Sequence, residues 1–201
     1  KAKREQLEGV LEVLPWVATV DAYQHWLYEN GNHTHDERHA KWQSISKRYG
    51  TGMVDWSSYE EYQKTAWQRQ LHIYEVPFYY IEYGMAQLGA IAVWRNYKQN
   101  AEKALDNYDN ALKLGYTKSI GDIYATADIK FDFSADYVKE LADFVKSELE
   151  ALKIREEYRK EFIGNVSHEL KTPLFTVQGY ISTLIEGAAD DPKIRDKYLK
   201  R

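Results

Sequence analysis

The sequence predicts an all-α protein, and three observations support that prediction. Only 4 prolines occur in 201 residues, so long helices are rarely interrupted. Apolar residues recur at spacings of three and four along most of the chain, which is the helical period. Hydrophobic residues make up 44% of the chain and aromatic residues 14%, which is enough to form a packed core.

The first two helices are marked by periodicity and by a capping pattern. Apolar positions predict a long helix over residues 4–30, which Pro15 is expected to bend or interrupt. Thr34, followed three residues later by Glu37, has the pattern of a capping box. It predicts a second helix that ends near Tyr49.

The middle of the chain predicts shorter elements separated by proline, glycine and asparagine. A helix starting from an Asp or Ser cap is expected in 55–76, before Pro77. The remaining elements in order are helices in 78–100, 101–113 and 117–128 and an extended segment at 129–134. Ser134 or Asp136 is expected to cap the next helix, beginning near Ala135.

That next helix is unusually long. Residues 135–170 contain no proline and one glycine, and as a single helix they would span about 54 Å. Composition changes along it, because all 6 tryptophans lie before residue 95. We therefore predict a helical module at 1–152 and a second segment at 153–201, joined inside a helix.

A histidine near the end of this helix lies beside an apolar seam. The seam residues are spaced close to a heptad repeat and are Ile163, Val166, Leu170, Leu174, Val177, Ile181 and Leu184. His168 lies off this seam and is expected to face solvent, with Thr172 one turn later on the same face. Pro173 should bend the helix just after the histidine.

The run SHELKTPL (167–174) resembles the phosphoacceptor helix of bacterial sensor histidine kinases, phosphate-regulon sensors among them. The resemblance implies that His168 accepts the γ-phosphoryl group of ATP and that Glu169 takes a proton from the imidazole. Thr172 would orient the water that dephosphorylates a response regulator. An exposed imidazole beside a carboxylate is a competent nucleophile, which agrees with these roles.

The same resemblance implies partners. They are a second copy of the chain, paired through residues 163–184, a response regulator, and a kinase domain that binds ATP and magnesium. Asp190-Asp191-Pro192 has the composition of a turn, and residues 193–201 would begin a second helix. We expect the chain to carry the substrate half of the reaction and not to phosphorylate itself.

A second candidate site lies in the aromatic stretch 67–90. His72 is followed by Tyr79, Tyr80 and Tyr83, whose hydroxyls need partners if they are buried. An imidazole with clustered phenols could supply hydrogen-bond donors to an anionic transition state. An aromatic helix face packed in a helical domain explains the same pattern equally well.

Residues 1–152 resemble the C-terminal part of oligoendopeptidase F-type zinc metallopeptidases, through LPWVATVDAYQHWLYENGNHT and WQRQLHIYEVPFYYIEYGMAQLGA. The resemblance implies that His72 and Tyr80 or Tyr83 contact the peptide carbonyl and the oxyanion. The zinc motif His-Glu-x-x-His is absent from these 201 residues, so we expect no metal or other cofactor in this chain. The run HTHDERH (33–39) is interpreted as a helix start.

Charge and composition exclude several classes. A net charge of −4 argues against nucleic-acid binding, and the absence of cysteine excludes disulfides and thiolate metal sites. The longest apolar run, near 85–94, is too short to span a membrane. We expect a cytoplasmic protein.

Three hypotheses account for two incomplete family segments in one chain. The first is an engineered fusion in which a catalytically incomplete peptidase module presents the phosphoacceptor helix. The second is a natural sensor histidine kinase fragment with the first module as sensor. The third is a peptidase fragment that needs a zinc-bearing partner chain.

Overall fold

The computed structural model describes residues 2–183, 185–186, 190 and 192. Leu184 of the seam, Asp191 of the expected turn and residues 193–201 lie outside the described residues. The chain divides into two compact units, Lys1–Leu149 and Glu150–Arg201. The all-α prediction is confirmed, since no strand occurs in the described part of the chain.

Within the described residues, eight α-helices and one 3-10 turn form the architecture. In chain order they are α1 (Ala2–Glu29), α2 (His35–Tyr49), α3 (Glu60–Thr65), the 3-10 turn Ala66–Arg69, α4 (His72–Glu75), α5 (Ile81–Gln99), α6 (Ala101–Lys113), α7 (Ile120–Thr126) and α8 (Ala135–Thr183). Among the described residues, no helix is both long and apolar enough to cross a bilayer.

The predicted caps are present. The Glu37 backbone N–H donates to the Thr34 hydroxyl oxygen at 3.2 Å, and the Thr34 backbone N–H donates to a Glu37 carboxylate oxygen at 2.7 Å. At the start of α8, the Ser134 hydroxyl oxygen accepts from the Tyr137 backbone N–H at 3.3 Å. These contacts satisfy N–H groups that lack a partner within the helix.

Neither internal proline interrupts its helix. Pro15 lies inside α1, where the Thr19 hydroxyl donates to the Pro15 carbonyl oxygen at 2.8 Å. Pro173 lies inside α8. In α1, burial of Val10 before Pro15 and of Val17 after it stabilises the helix on both sides of the missing backbone bond.

The prediction of one helix within 55–76 is wrong, because helical structure begins later and is divided into α3, the 3-10 turn and α4. Asp55 does not cap a helix, because it accepts from the backbone N–H and the hydroxyl of Ser57 at 3.0 and 2.7 Å. The first helical residues follow Tyr59, which provides no side-chain cap. The chain then turns repeatedly, which buries Trp67 in the core.

An aromatic cluster between α1, α2 and the 3-10 turn forms the core of the first unit. Its buried members are Val20, Tyr23, Trp42, Ile45, Trp67 and Ile73. Tyr23 meets Trp42 edge to face with ring centroids 5.1 Å apart, and the Trp42 indole N–H donates to the Gln63 carbonyl oxygen at 3.0 Å. Aromatic pairs in this geometry stabilise a core beyond their buried area.

The first residues of α8 belong to the same unit and pack against α5. Leu141 and Val145 are fully buried. The Trp94 and Phe144 rings meet at 4.8 Å. Arg95 forms an ion pair with Glu140 at 2.6 Å, which joins the two helices at the edge of this contact.

Candidate functional site

The structure brings His72 together with the three tyrosines predicted to accompany it. His72 begins α4, and its Nε2 lies 3.3 Å from the Tyr83 hydroxyl oxygen. The Tyr80 ring meets the imidazole edge to face at 4.8 Å. The Tyr79 ring contacts the Tyr83 ring, with centroids 5.8 Å apart, and so joins the same group. The four rings therefore form one contiguous group.

This group faces solvent on one side. Tyr79 and Tyr83 are 45% and 46% exposed, whereas His72 and Tyr80 are half-buried. Phe78, in the turn that leads to them, has a φ of +59°, a left-handed conformation that is uncommon for a bulky residue. The turn from α4 into α5 thus places two phenols where an external molecule can reach them.

Two glutamines that the sequence analysis did not single out fix the histidine. The Gln70 amide nitrogen lies 2.8 Å from His72 Nδ1, and the Gln24 amide nitrogen donates to the His72 carbonyl oxygen at 3.5 Å. An amide NH₂ group can only donate, so Nδ1 accepts and the neutral ring carries its proton on Nε2. Gln70 lies only two residues before His72, which was the available sequence signal.

The described residues around His72 do not fit a zinc site. Among the described residues, no group of three or more His, Cys, Asp or Glu side chains could hold a metal ion. His72 is surrounded instead by amide and phenol groups. These groups can donate hydrogen bonds to a carbonyl oxygen or an oxyanion, but they do not form a zinc ligand set.

The second candidate group lies on α8 in the second unit. His168, Glu169 and Thr172 are all exposed side chains on this helix. Within the described part of the chain, no hydrogen bond joins the three to one another. The Thr172 carbonyl oxygen accepts from the Thr176 hydroxyl at 2.9 Å, and Lys171 lies over the Phe175 ring. The imidazole is therefore accessible to an external reactant.

The predicted seam is exposed within this unit. Its described members are at least 37% exposed, and Leu170 and Leu174 reach 62% and 69%. A contiguous apolar stripe of this kind usually marks a surface that is covered by a partner. A coiled coil through these residues stays a prediction.

Comparison with known proteins assigns the first unit. Residues 1–143 match Peptidase family M3. An X-ray structure of an oligoendopeptidase F superimposes with a TM-score of 0.63 and 30% sequence identity, over 75% of this chain and 26% of that one. The group around His72 lies within the matched residues.

The second unit matches a different family. Residues 158–201 match the His Kinase A (phospho-acceptor) domain. The sensor histidine kinase WalK of Bacillus subtilis is 49% identical over 41 residues, which are 20% of this chain and 7% of that kinase. The sensor protein kinase WalK of Staphylococcus aureus is 48% identical over 44 residues, 22% of this chain and 11% of that protein. A closer relation to phosphate-regulon sensors stays a prediction.

The chain thus spans about a quarter of the matched oligoendopeptidase F chain and 7% and 11% of the two kinases. The family match at 1–143 ends, and the match at 158–201 begins, within the residues of α8. Residues 158–201 are similar to the His Kinase A phospho-acceptor domain, and the chain belongs to peptidase family M3 through residues 1–143.

Proposed function

We propose that His168 is a phosphoacceptor of two-component signal transduction. The observation that carries this proposal is an exposed imidazole on α8, inside the run Ser167–Leu174 of a phospho-acceptor domain. An exposed ring retains a lone pair that can attack phosphorus. Glu169 is the adjacent carboxylate, and Thr172 lies one turn further along the helix.

The reaction is a phosphoryl transfer from ATP supplied by a separate kinase domain with magnesium. One ring nitrogen of His168 attacks the γ-phosphorus, the bond to the bridging oxygen breaks, and ADP leaves. Glu169 takes the proton from the other ring nitrogen. A response regulator then accepts the phosphoryl group from His168, and Thr172 orients the water that later dephosphorylates the response regulator. We place this reaction in the cytoplasm, where ATP is available.

The exposed seam is the surface that we assign to pairing with a second copy. Val166, Leu170 and Leu174 lie one turn apart, so a parallel helix could cover them continuously. His168 is off this line and stays accessible after pairing. This arrangement separates the dimer contact from the phosphoryl acceptor on one helix.

Phosphotransfer in trans tests the proposal. The chain is mixed with radiolabelled ATP and the isolated ATP-binding domain of a WalK kinase, beside the variants His168→Gln and His35→Gln. We expect acid-labile label on the wild type and on His35→Gln, whose histidine is exposed in the first unit. Equal label on His168→Gln, or none on any of the three proteins, would contradict the assignment.

We further propose that the chain is an engineered fusion in which the peptidase segment is catalytically incomplete. The support is the junction between residues 143 and 158, which falls within α8, whereas natural domain boundaries usually fall in exposed linkers. A natural genome that encodes both segments contiguously would overturn this origin and favour a sensor kinase.

The group around His72 favours a second candidate function, as part of a peptidase that is completed by a zinc-bearing partner chain. The support is that the phenols of Tyr80 and Tyr83 are grouped around His72, whose Nε2 lies 3.3 Å from the Tyr83 hydroxyl oxygen. The test is to mix this chain with a polypeptide containing the His-Glu-x-x-His helix of an oligoendopeptidase F. Peptide cleavage that weakens in Tyr83→Phe supports this function, and no cleavage rejects it.

A further inference from the structure

A small cavity in the first unit has a chemistry that neither proposed function uses. It has a volume of about 210 Å³ and lies between the end of α1, the start of α2 and the segment around Trp67. Its wall is formed by one cation, one imidazole, three other aromatic rings and two aliphatic side chains, which are Arg38, His33, Tyr28, Trp67, Tyr74, Leu27 and Ile73. No carboxylate is among these lining residues.

Arg38 is the charged residue of this cavity, and its Nε–H group already has a hydrogen-bond acceptor. Its Nε donates to His33 Nε2 at 2.8 Å, and the guanidinium lies over the Trp67 ring, 5.4 Å from the centroid. No acidic side chain forms an ion pair with Arg38 within the described residues. The terminal N–H groups of a half-buried guanidinium are thus left without a counter-charge.

The positive charge of Arg38 also acts on the phenols beside it. Burial raises the pKa of the Tyr74 hydroxyl, and the positive charge of Arg38 opposes that rise. The same two effects act on the pKa of Tyr23, which donates to the Arg38 carbonyl oxygen at 3.5 Å. Arg38 therefore acts on the phenols around it, and no described carboxylate forms an ion pair with it.

Trp67 supplies a second and independent observation. Its side chain is only 4% exposed, and its indole Nε1 is buried without a hydrogen-bond acceptor. Buried indole N–H groups nearly always have an acceptor, because leaving one unpaired costs the full desolvation of the donor. A lining residue of the cavity thus carries a donor that has no acceptor.

We propose that this cavity binds a small organic monocarboxylate. Its two oxygens match the planar fork of terminal N–H groups on Arg38, and the ligand lies beside the Trp67 ring that the guanidinium covers. The apolar part of the ligand packs against Leu27 and Ile73. His33 is a positioning residue, because its acceptance of the Nε–H holds the guanidinium with its terminal nitrogens free.

Ligand-observed NMR on the full chain tests this site with phenylacetate and, as a neutral isostere, phenylacetamide. We expect saturable binding of phenylacetate with a dissociation constant on the order of 1 mM, which suits a ligand of about ten non-hydrogen atoms. Phenylacetamide should bind at least tenfold more weakly. Equal binding of both compounds, or stronger binding of inorganic phosphate, overturns the proposal.

Arg38→Gln is the main variant and Arg48→Gln is its matched control. Arg48 lies on the same helix and stacks on Tyr49, away from the cavity lining. We expect at least a tenfold loss of phenylacetate affinity in Arg38→Gln and less than a twofold change in Arg48→Gln. Unchanged affinity in Arg38→Gln contradicts the site.

A spectroscopic readout on the unaltered protein covers the case in which Arg38→Gln does not fold. The Trp67 indole N–H resonance is assigned by its absence in Trp67→Phe, and phenylacetate is then titrated into the wild type. A saturable shift of that resonance, which is not produced by phenylacetamide, supports the proposal. A Trp67 resonance that does not move overturns it.

Discussion

His72 Nε2 lies 3.3 Å from the hydroxyl oxygen of Tyr83, and the opposite side of the imidazole decides the direction of that bond. Gln70 donates to Nδ1 at 2.8 Å, so the proton of the neutral ring lies on Nε2 and points towards Tyr83. The Tyr83 hydroxyl proton is then free to point outward. A tyrosine held in this way can donate to a molecule that approaches the exposed side of the group.

The first prediction concerns the tautomers of two histidines. His72 should carry its proton on Nε2, whereas His33 should carry it on Nδ1, because its Nε2 accepts from Arg38. Long-range ¹H–¹⁵N correlation spectra at neutral pH distinguish the two forms. In Gln70→Leu, we expect His72 to populate both tautomers while His33 keeps its own. Identical spectra for the two rings in the wild type would show the assignment to be wrong.

The second prediction concerns the close contact between α5 and α7. A Cβ added at Gly89 would lie 2.8 Å from the Tyr124 hydroxyl oxygen, which itself donates to the Met85 carbonyl oxygen at 3.2 Å. Gly89→Ala should therefore lower the free energy of unfolding by about 1–3 kcal/mol. Urea denaturation measures this change.

Gly9→Ala is the matched control for that contact. Gly9 is exposed inside α1, and an added Cβ meets nothing within 4 Å. This substitution should raise stability by about 0.4–1 kcal/mol, because alanine loses less backbone freedom on folding. Equal effects at the two glycines would contradict the role of Tyr124.

The third prediction concerns the capping box of α2. Thr34→Ala removes the oxygen that accepts from the Glu37 N–H, and we expect a loss of about 1 kcal/mol in chemical denaturation. Thr51→Ala, in the loop after α2, is the control and should change stability by less than about 0.5 kcal/mol. A loss that is as large in Thr51→Ala would reject the assignment to the cap.

The fourth prediction is the pH dependence of the same cap. Hydrogen bonds from Thr34 hold the pKa of Glu37 below its ordinary value near 4.5. A carboxyl whose pKa is lower in the folded state stabilises above the unfolded pKa, and that stabilisation is lost as pH falls through the folded pKa. Glu37→Gln should therefore be less sensitive than wild type to acid below about pH 4.5. Parallel denaturation curves from pH 6 to 3 test this.

The fifth prediction separates buried from exposed leucines. Leu141 is fully buried in the part of α8 that packs on α5, whereas Leu105 on α6 is 56% exposed. Leu141→Ala should cost about 2–5 kcal/mol and Leu105→Ala less than about 0.5 kcal/mol. Thermal denaturation followed by tryptophan fluorescence measures both. Similar losses of stability in the two variants would mean that the surface of α6 around Leu105 is covered.

Local sequence signals predicted the parts of the fold that depend on neighbouring residues. The capping box at Thr34, the Ser134 cap and the bounds of α6 agree with the structure. The helix expected from Asp55 failed, because burial of Trp67 is a long-range contact that outweighs helix propensity. Pro15 was accommodated in α1 for the same reason.

The two candidate sites also differ in how far local sequence signals predicted them. The run around His168 is contiguous, so the sequence alone determined the phospho-acceptor match and the position of the histidine. For His72 and the three tyrosines, the sequence left a cluster of donors and a packed aromatic face as equal explanations, and it did not predict the Gln70 bond that orients the His72 ring.

The sequence by itself determined the fold class, the family match of each segment and the place of His168 on a helix. These properties follow from periodicity, caps and contiguous motifs, which act over a few residues. Only the tertiary structure decided that Arg38 lies over Trp67 and that His33 accepts from it. Arg38 and Trp67 are far apart in the chain, and only the packing of α1, α2 and the 3-10 turn brings their side chains to one cavity.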